Sequence, residues 1–336
     1  MKKVLILGGT GFVGAHVCEK LVREGWHITV PTRRRANAKA LQHLPLLTVL
    51  ELSVHDEAAL TRAVAGHDAV VNLVAILHGS QAAFEKVHVD LPKKLARACL
   101  AGGVKQVVHI SALGADAQRF QSSPSMYLRS KGQGEAALVE AAAGRGTSGG
   151  FDLTVLRPSV IFGAGDKFLN LFAALQKVFP VMPLAGAQAR FQPVWVEDVA
   201  AAVVKCLAPG APRRSPRVLE LVGPDVFTLK ELVQLSAQLS GVREGRGRPV
   251  IALPLWLGRV QARLMALAPG EPLMSLDNLD SMQVDNVASG QLPGLSALGI
   301  LPSALKPIAS DYLTQGQADR GLPGMRLRAG AWRRMR

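Results

Sequence analysis

The sequence predicts an α/β protein with a doubly wound parallel sheet and a smaller, interleaved C-terminal region that covers the substrate. One observation is a glycine-rich turn at residues 8–14, which separates a short apolar run from a helical pattern. A second is the alternation of strand and helix patterns that follows, as in repeated β-α-β units. A third is that 49% of the 336 residues are hydrophobic, which is enough for a full core without metal or disulfides.

The first predicted unit surrounds the glycine turn. Residues 4–7 are all apolar, which suits a strand buried on both faces of a parallel sheet. Behind the turn, Val17, Leu21 and Val22 recur at helical spacing, and Gly25 is suited to end that helix. The turn therefore lies at the carboxyl end of a strand, where proteins of this class bind their ligands.

The turn has the chemistry of a phosphate-binding loop. Its glycines fit both G-x-G-x-x-G and G-x-x-G-x-x-G, and N–H groups at a helix N-terminus attract anions. Glycines also let a pyrophosphate approach without meeting a Cβ atom. We therefore expect a dinucleotide-binding domain of the Rossmann type. Its predicted cofactor-binding residues in this turn are Gly8, Gly9, Thr10, Gly11, Phe12, Val13 and Gly14.

The second predicted strand, residues 27–31, indicates which dinucleotide binds. An NAD site carries an acidic residue about 20 positions past the glycines, but here the sequence has Arg33 and Arg34. Guanidinium groups suit a 2′-phosphate, so the sequence favours NADP(H) over NAD(H). Ser53, after a third strand at 47–52, is expected to lie beneath the adenine.

Further strands and helices follow in the same alternation. A helix at 57–65 is expected to take Asp56 as its cap, and a helical stretch at 82–101 is expected to break at Pro92. The fourth, fifth and sixth predicted strands cover residues 69–75, 104–111 and 152–156. The predicted cofactor contacts at the end of the fourth strand are Val74 and Ala75.

A tyrosine and a lysine stand four positions apart near the start of the next predicted helix, which runs to Ala143. At this spacing Tyr127 and Lys131 project from one face of the helix. A phenol with a pKa of about 10 is a poor acid or base at neutral pH, and a nearby ammonium favours its ionised form. The pair would let Tyr127 exchange a proton with a carbonyl or alcohol beside the nicotinamide.

Taken together, these motifs resemble the short-chain dehydrogenase/reductase superfamily, in its extended or atypical branch. The resemblance covers almost the whole chain and is greatest to the subgroup typified by the nucleotide-binding accessory subunit of mitochondrial respiratory complex I. That subunit binds NADPH tightly and is not known as a turnover enzyme. The motifs that carry the resemblance lie at residues 8–14, 72–75, 87–90, 110–116, 127–131, 156–163, 193–200 and 275–279.

The resemblance implies roles for several residues. Lys131 would position the ribose and lower the pKa of Tyr127, and Pro158 would lie where the chain turns over the nicotinamide. In the sugar-nucleotide epimerases and dehydratases of the superfamily, a catalytic hydroxyl stands two positions beyond the serine equivalent to Ser111. Here Leu113 takes that place. Ser111 is the remaining candidate hydroxyl, although it can equally serve only to bond backbone at the strand end.

The sequence divides into three parts. The dinucleotide-binding domain covers residues 1–162, and residues 190–205 are expected to return to it. Residues 163–313 form the small region over the substrate. After that the composition turns to Gly, Arg and Gln, which predicts a disordered basic tail at 314–336.

Two stretches of the small region are assigned to a substrate lid. They are residues 220–223 and a helix at 229–240 with Thr228 as its cap. Because a lid recognises its substrate through shape, the small-molecule substrate stays unnamed.

The net charge of +14 bears on the choice of partner. No aromatic stacking platform or DNA-reading motif accompanies the arginines, which disfavours nucleic acid. An anionic cofactor together with an acidic partner or a lipid surface explains the charge with fewer assumptions. The three cysteines are far apart and the histidines lack paired spacing, so we expect no metal site. We expect a cytoplasmic protein that can lie at the inner face of the membrane.

Two functions remain open at this point. The first is an NADP(H)-preferring oxidoreductase or epimerase that acts on an unknown small molecule, with Tyr127, Lys131 and Ser111 as its catalytic set. The second is a non-turnover NADP(H)-binding module that docks on a respiratory or membrane partner through the basic tail or the helix at 255–268.

Overall fold

The computed structural model describes residues 2–143, 150–208, 216–265 and 274–314. Its centre is a seven-stranded sheet in the order β11-β6-β5-β4-β1-β2-β3, and every pairing within it is parallel. The predicted doubly wound α/β fold is therefore confirmed. The seven strands are β1 (Lys3–Leu7), β2 (His27–Thr32), β3 (Leu47–Glu51), β4 (Ala69–Asn72), β5 (Gln106–Ile110), β6 (Asp152–Pro158) and β11 (Arg217–Leu221).

Helices cover both faces of this sheet. One face packs against α1 and α7, which bury Val17 and Val203. The other face packs against α2, α4 and α5, which bury Leu60, Leu95 and Leu138. These five helices are α1 (Phe12–Arg23), α2 (Glu57–Val64), α4 (Leu91–Ala101), α5 (Met126–Ala143) and α7 (Val196–Leu207).

The smaller region packs around short strand pairs and further helices. Its short strands are β7 (Ile161–Phe162), β8 (Met182–Ala185), β9 (Arg190–Phe191), β10 (Val194–Trp195), β12 (Phe227–Thr228) and β13 (Val250–Leu253). Its helices are α6 (Leu169–Val178), α8 (Leu229–Leu239), α9 (Leu255–Met265), α10 (Leu276–Ser281) and a last helix at 305–314. Strand β10 pairs with β7, and α7 then crosses back to the face of the central sheet that α1 covers.

The assignment of residues 220–223 to the lid is wrong. Residues 220–223 were expected in the lid, but Glu220 and Leu221 end strand β11, which pairs with β6 at the edge of the central sheet. Leu219 and Leu221 on this strand are fully buried in the core. A short strand pattern reveals its conformation but not which sheet edge it joins, and that pairing is set by tertiary packing.

The helical stretch before residue 101 does not break at Pro92. Helix α3 (Gln81–Phe84) continues through a π-helical turn, Glu85–Asp90, directly into α4. Pro92 lies just after the π-helical turn, so the helix passes through it although proline offers no N–H for a helical hydrogen bond there. The caps predicted for α2 and α8 are confirmed, since Asp56 accepts from the Ala59 N–H and Thr228 from the Glu231 N–H.

No helix among the described residues is long and apolar enough to cross a membrane. The predicted basic tail lies outside the described residues from position 315 onward, as do the last residues of the helix predicted at 255–268.

Candidate nucleotide-binding and catalytic site

The glycine turn is shaped partly by the packing of the protein itself. Gly8 has a φ of +82°, and a Cβ there would lie 3.2 Å from the backbone nitrogen of Val74. A Cβ on Gly14 would collide with the carbonyl oxygen of Gly8, so the start of α1 can lie directly against the turn only because Gly14 has none. These two glycines are therefore required by backbone conformation and close approach.

Gly11 differs from its neighbours because the space beside it is open. A Cβ there would meet only the Gly8 carbonyl oxygen, at 3.2 Å. Gly11 is also the N-terminal cap residue of α1, and no side chain caps this helix. The N–H groups of the first turn, at Phe12 and Val13, are thus left for an anion that approaches past Gly11. This arrangement fits the pyrophosphate of a dinucleotide.

The two arginines follow the end of β2 and are exposed. Among the described residues, neither the Arg33 nor the Arg34 side chain forms an ion pair. Burial and the positive charges of Lys86, Lys94 and Arg33 together lower the pKa of His55 below its ordinary value. This concentration of positive charge cannot be read from the sequence, because Lys86 and Lys94 lie far along the chain from Arg33.

Polar groups organise the strand ends beside the turn. Strand β4 stops at Asn72, whose buried side chain accepts a hydrogen bond from the Val74 N–H at 3.2 Å. The same side chain contacts Nδ1 of the buried His109 at 3.1 Å. Val74 is half-buried and Ala75 is exposed, next to the glycine turn. Ser53 is also exposed, and its Oγ accepts from the His55 N–H at 3.4 Å.

Lys131 lies buried against the end of strand β5. Its Nζ donates a hydrogen bond to the carbonyl oxygen of Ile110 at 2.7 Å. Burial lowers the pKa of Lys131 to about 8, and the carboxylate of Glu135 opposes that shift. Glu135 is itself paired with Arg157 on β6, at 3.0 and 2.6 Å.

Tyr127 is half-buried one helical turn before Lys131. Its ring packs edge to face against His88, at 5.5 Å between centroids, and against Phe84 at 6.2 Å. The π-helical turn presents His88 to it, and Gly134 allows α5 to approach the His88 carbonyl. Tyr127 therefore lies on the same face of α5 as Lys131, which faces the ends of β4 and β5.

Lys131 is expected to lower the pKa of Tyr127, but the net shift in the structure is upward. Burial, and secondarily the charge of Asp277, raise the pKa of Tyr127 to about 12. Lys131 lies one helical turn from Tyr127, and its Nζ donates a hydrogen bond to the carbonyl oxygen of Ile110. In this structure Tyr127 is therefore a neutral phenol at physiological pH.

Ser111 and Leu113 both lie just after strand β5. Ser111 follows β5 and is buried, and its Oγ has no hydrogen-bond partner within the part of the chain that the structure describes. Leu113 is buried, and its N–H donates to the Pro158 carbonyl at 2.9 Å. Its hydrocarbon side chain supplies no hydroxyl. Ser111 and Pro158 lie at the ends of neighbouring strands, next to the carbonyl that holds Lys131.

Residues 275–279 carry a predicted family motif, but sequence reasoning gives no role to Asp277, which contacts the N-terminus of α5 from about 150 positions away along the chain. Sequence reasoning also gives no role to Glu135, although the spacing of Glu135 from Lys131 places both on one face of α5. No group of three or more metal-ligating side chains occurs among the described residues.

The family model of the NAD dependent epimerase/dehydratase family matches residues 4–221. The chain is 30% identical over 326 residues to the mitochondrial NADH dehydrogenase [ubiquinone] 1 alpha subcomplex subunit 9 of Mus musculus, covering 94% of this chain and 81% of that protein. It is 28% identical over 245 residues to a ceramide reductase of Caulobacter vibrioides, covering 71% of each.

Solved structures share the fold at low sequence identity. The UDP-glucuronic acid 4-epimerase of Bacillus cereus, solved with UDP-glucuronic acid and NAD, superposes with a TM-score of 0.65 at 16% identity. The match covers 93% of this chain and 99% of that one. It extends the similarity in fold from the central sheet to the smaller region.

Proposed function

Because the chain belongs to the NAD dependent epimerase/dehydratase family, we propose that it binds NADP(H) across the carboxyl ends of its central strands. The single observation that carries this proposal is the open, uncapped start of α1 at Gly11. At the end of the neighbouring strand, Arg33 and Arg34 form no ion pair with any residue that the structure describes. The N–H groups of α1 would hold the pyrophosphate, and the arginines would hold the 2′-phosphate.

Calorimetric titration of the full chain with NADPH and with NADH tests this step. A charge-assisted contact contributes about 1.5 to 3 kcal/mol, so NADPH should bind about ten to a hundred times more tightly. Equal affinities would leave the family fold intact and overturn the assignment of the arginines.

The reaction we propose is reduction of a carbonyl, or its reverse, on a small molecule. When bound, the nicotinamide supplies or accepts a hydride. Tyr127 holds the proton that the substrate oxygen receives. Lys131, at the end of strand β5, orients the ribose. The buried Oγ of Ser111, which has no hydrogen-bond partner in the described part of the chain, is the second hydroxyl available to the substrate oxygen. The similarity to the ceramide reductase of Caulobacter vibrioides supports a reductase over an epimerase.

Replacement of Tyr127 by Phe separates catalysis from binding. Turnover of NADPH with a panel of aldehydes, quinones and nucleotide sugars should fall by about a hundredfold or more, while NADPH affinity barely changes. Turnover that is unchanged in the variant would show that Tyr127 is not the proton donor.

A second function is favoured by the outer face of α9. Trp256, Val260 and Leu264 lie on one side of this helix and are 66%, 46% and 64% exposed, while Gly258 and Ala262 face the core. Aromatic and aliphatic side chains beside Arg263 suit the interface of an anionic membrane. In this alternative the protein binds NADP(H) without turnover and docks at a membrane or respiratory partner. The similarity to the mouse subunit supports it.

Co-sedimentation with anionic vesicles tests docking. The full chain should sediment at low salt and less at high salt, and Trp256→Ser should weaken sedimentation, whereas Leu301→Ser, at an isolated apolar side chain that is 90% exposed, should not. A truncation after Asp319 tests the basic tail in the same assay. Sedimentation that neither change affects would argue against docking through α9 or the tail.

A further inference from the structure

The N-terminus of helix α5 is capped from outside the dinucleotide-binding part of the chain. Asp277 is buried on α10, and its two carboxylate oxygens accept from the N–H groups of Met126 at 2.6 Å and Tyr127 at 3.0 Å. Ser125 accepts from the next N–H group, that of Leu128, at 3.1 Å. The first three N–H groups of α5 are therefore all satisfied, two of them by one carboxylate.

The position of Asp277 is fixed by its own helix. Ser275 and Asn278 form a reciprocal capping box around the start of α10. Leu279 is buried with Ala185 and Ala262 in a core cluster of the smaller region. Packing within the smaller region therefore fixes the position of the Asp277 carboxylate, and the N–H groups that it accepts from are those of α5.

Other groups that face Tyr127 do not compensate for this charge. From the π-helical turn, His88 contributes a neutral ring, because burial lowers its pKa to about 3. Its Nε2 accepts from the Ile76 N–H, so Nδ1 bears the hydrogen toward Ser130. Lys131 on the same helix is bonded to Ile110, and Phe84 presents only its ring.

An uncapped helix start carries a partial positive charge, which would stabilise a phenolate on a tyrosine in the first turn. Asp277 occupies that location with a full negative charge, so it cancels the helix field and repels a phenolate. Cancelling the helix field and repelling the phenolate both raise the pKa of Tyr127. Both effects depend on the charge of Asp277 and not on its shape.

We propose that Asp277 is a positioning residue that keeps Tyr127 a neutral phenol by occupying the N-terminus of α5. This inference rests on the proposed role of Tyr127 as proton donor. A phenol can give its proton to a bound oxygen, so Asp277 keeps Tyr127 in the protonation state that reduction of a carbonyl requires. It also makes the protonation of Tyr127 depend on how the smaller region packs against α5.

The test is to titrate Tyr127 in the full chain without nucleotide. The sequence has only two tyrosines, so ¹³C NMR of Cζ-labelled tyrosine gives two signals, and Tyr312→Phe assigns them. In the wild type Tyr127 should remain a phenol at about pH 10.5, where an ordinary tyrosine is mostly ionised. A phenolate there in the wild type would overturn the proposal.

Asp277→Asn keeps an oxygen acceptor for the helix end and removes the charge. We expect the pKa of Tyr127 to fall by about one unit, which is a tenfold larger phenolate fraction at a given pH. Asp277→Ser is the second variant if the amide disturbs folding, and thermal unfolding checks both. Asp280→Asn, at a half-buried carboxylate of the same helix that pairs with Arg259, is the matched control and should leave the titration unchanged.

An unchanged Tyr127 titration in a folded Asp277 variant would refute the role of Asp277. Because nucleotide is absent from this measurement, its outcome does not depend on cofactor binding. NADPH affinity of the same variants, measured by calorimetry, reports separately on the proposed function.

Discussion

Arg157 and Glu135 form a two-pronged ion pair that ties strand β6 to helix α5, with N–O distances of 3.0 and 2.6 Å. Only 11% of the Arg157 side chain and 1% of the Glu135 side chain are exposed. The pair lies one helical turn beyond Lys131, so the helix that carries the candidate catalytic residues is anchored to the strand that ends at Pro158.

Breaking this pair should destabilise the protein strongly. Arg157→Met leaves the Glu135 carboxylate buried without its partner, and we expect the free energy of unfolding to fall by about 3 to 5 kcal/mol. Urea unfolding at pH 7 measures the loss. Arg97→Met, which removes the arginine of the exposed pair with Glu57, is the matched control and should cost much less. Similar losses in the two variants would show that burial of the Arg157 pair is not decisive.

Substitution of Gly11 should remove nucleotide binding without unfolding the protein. A Val side chain there meets no protein atom closer than 3.2 Å at Cβ, but it fills the space through which the pyrophosphate approaches. Calorimetry should detect no NADPH binding by folded Gly11→Val. In contrast, Gly14→Ala should destabilise the fold itself, because its Cβ collides with the Gly8 carbonyl. Normal NADPH binding by Gly11→Val would mean that the phosphates lie elsewhere.

The arginines after β2 should control the choice of nucleotide. Replacing Arg33 and Arg34 together by Ser should weaken NADPH binding by about ten- to a hundredfold and leave NADH binding nearly unchanged, because only the 2′-phosphate loses its partners. Arg35→Ser, one position farther along, is the control. An equal loss for both nucleotides would point to general electrostatic attraction instead of phosphate recognition.

Buried Lys131 should make stability depend on pH in the alkaline range. Its pKa is lowered to about 8 in the folded protein, whereas the unfolded chain keeps the ordinary value of about 10.4. Between these values the unfolded state binds more protons, so stability rises with pH through this window. Relative to Lys131→Met, the wild type should gain about 1 to 2 kcal/mol between pH 8 and 9.5.

Urea unfolding of both proteins across that range gives the difference directly. Groups common to both, such as the buried thiols of Cys18 and Cys99 with their raised pKa values, cancel in it. A difference that stays constant with pH would mean that Lys131 is not deprotonated in the folded state near pH 8.

Most of the fold could be predicted from local sequence patterns. The glycine turn, the cap of α2 and the capping box of α8 each depend on residues within a few positions, so the sequence alone identifies them. Strand β11 could not be placed in this way, because its pairing with β6 joins residues separated by the whole first part of the smaller region.

The candidate site was predictable to the same extent. The positions of Tyr127 and Lys131 on one helix face follow from their spacing, but the pKa of Tyr127 does not. It depends on burial and on Asp277, which no periodicity or spacing connects to α5. A motif can identify the functional residues, but it cannot predict electrostatic effects on them from segments that are distant along the chain.

The edge position of β11 has a consequence for synthesis of the chain. Strand β6 ends at Pro158, but its outer hydrogen-bonding edge stays open until Arg217–Leu221 has left the ribosome. For roughly sixty residues of elongation, the nascent protein exposes an unpaired, apolar strand edge of the kind that recruits other chains. The emerging polypeptide should therefore need chaperone protection during that interval, and a fragment that stops near residue 162 should aggregate.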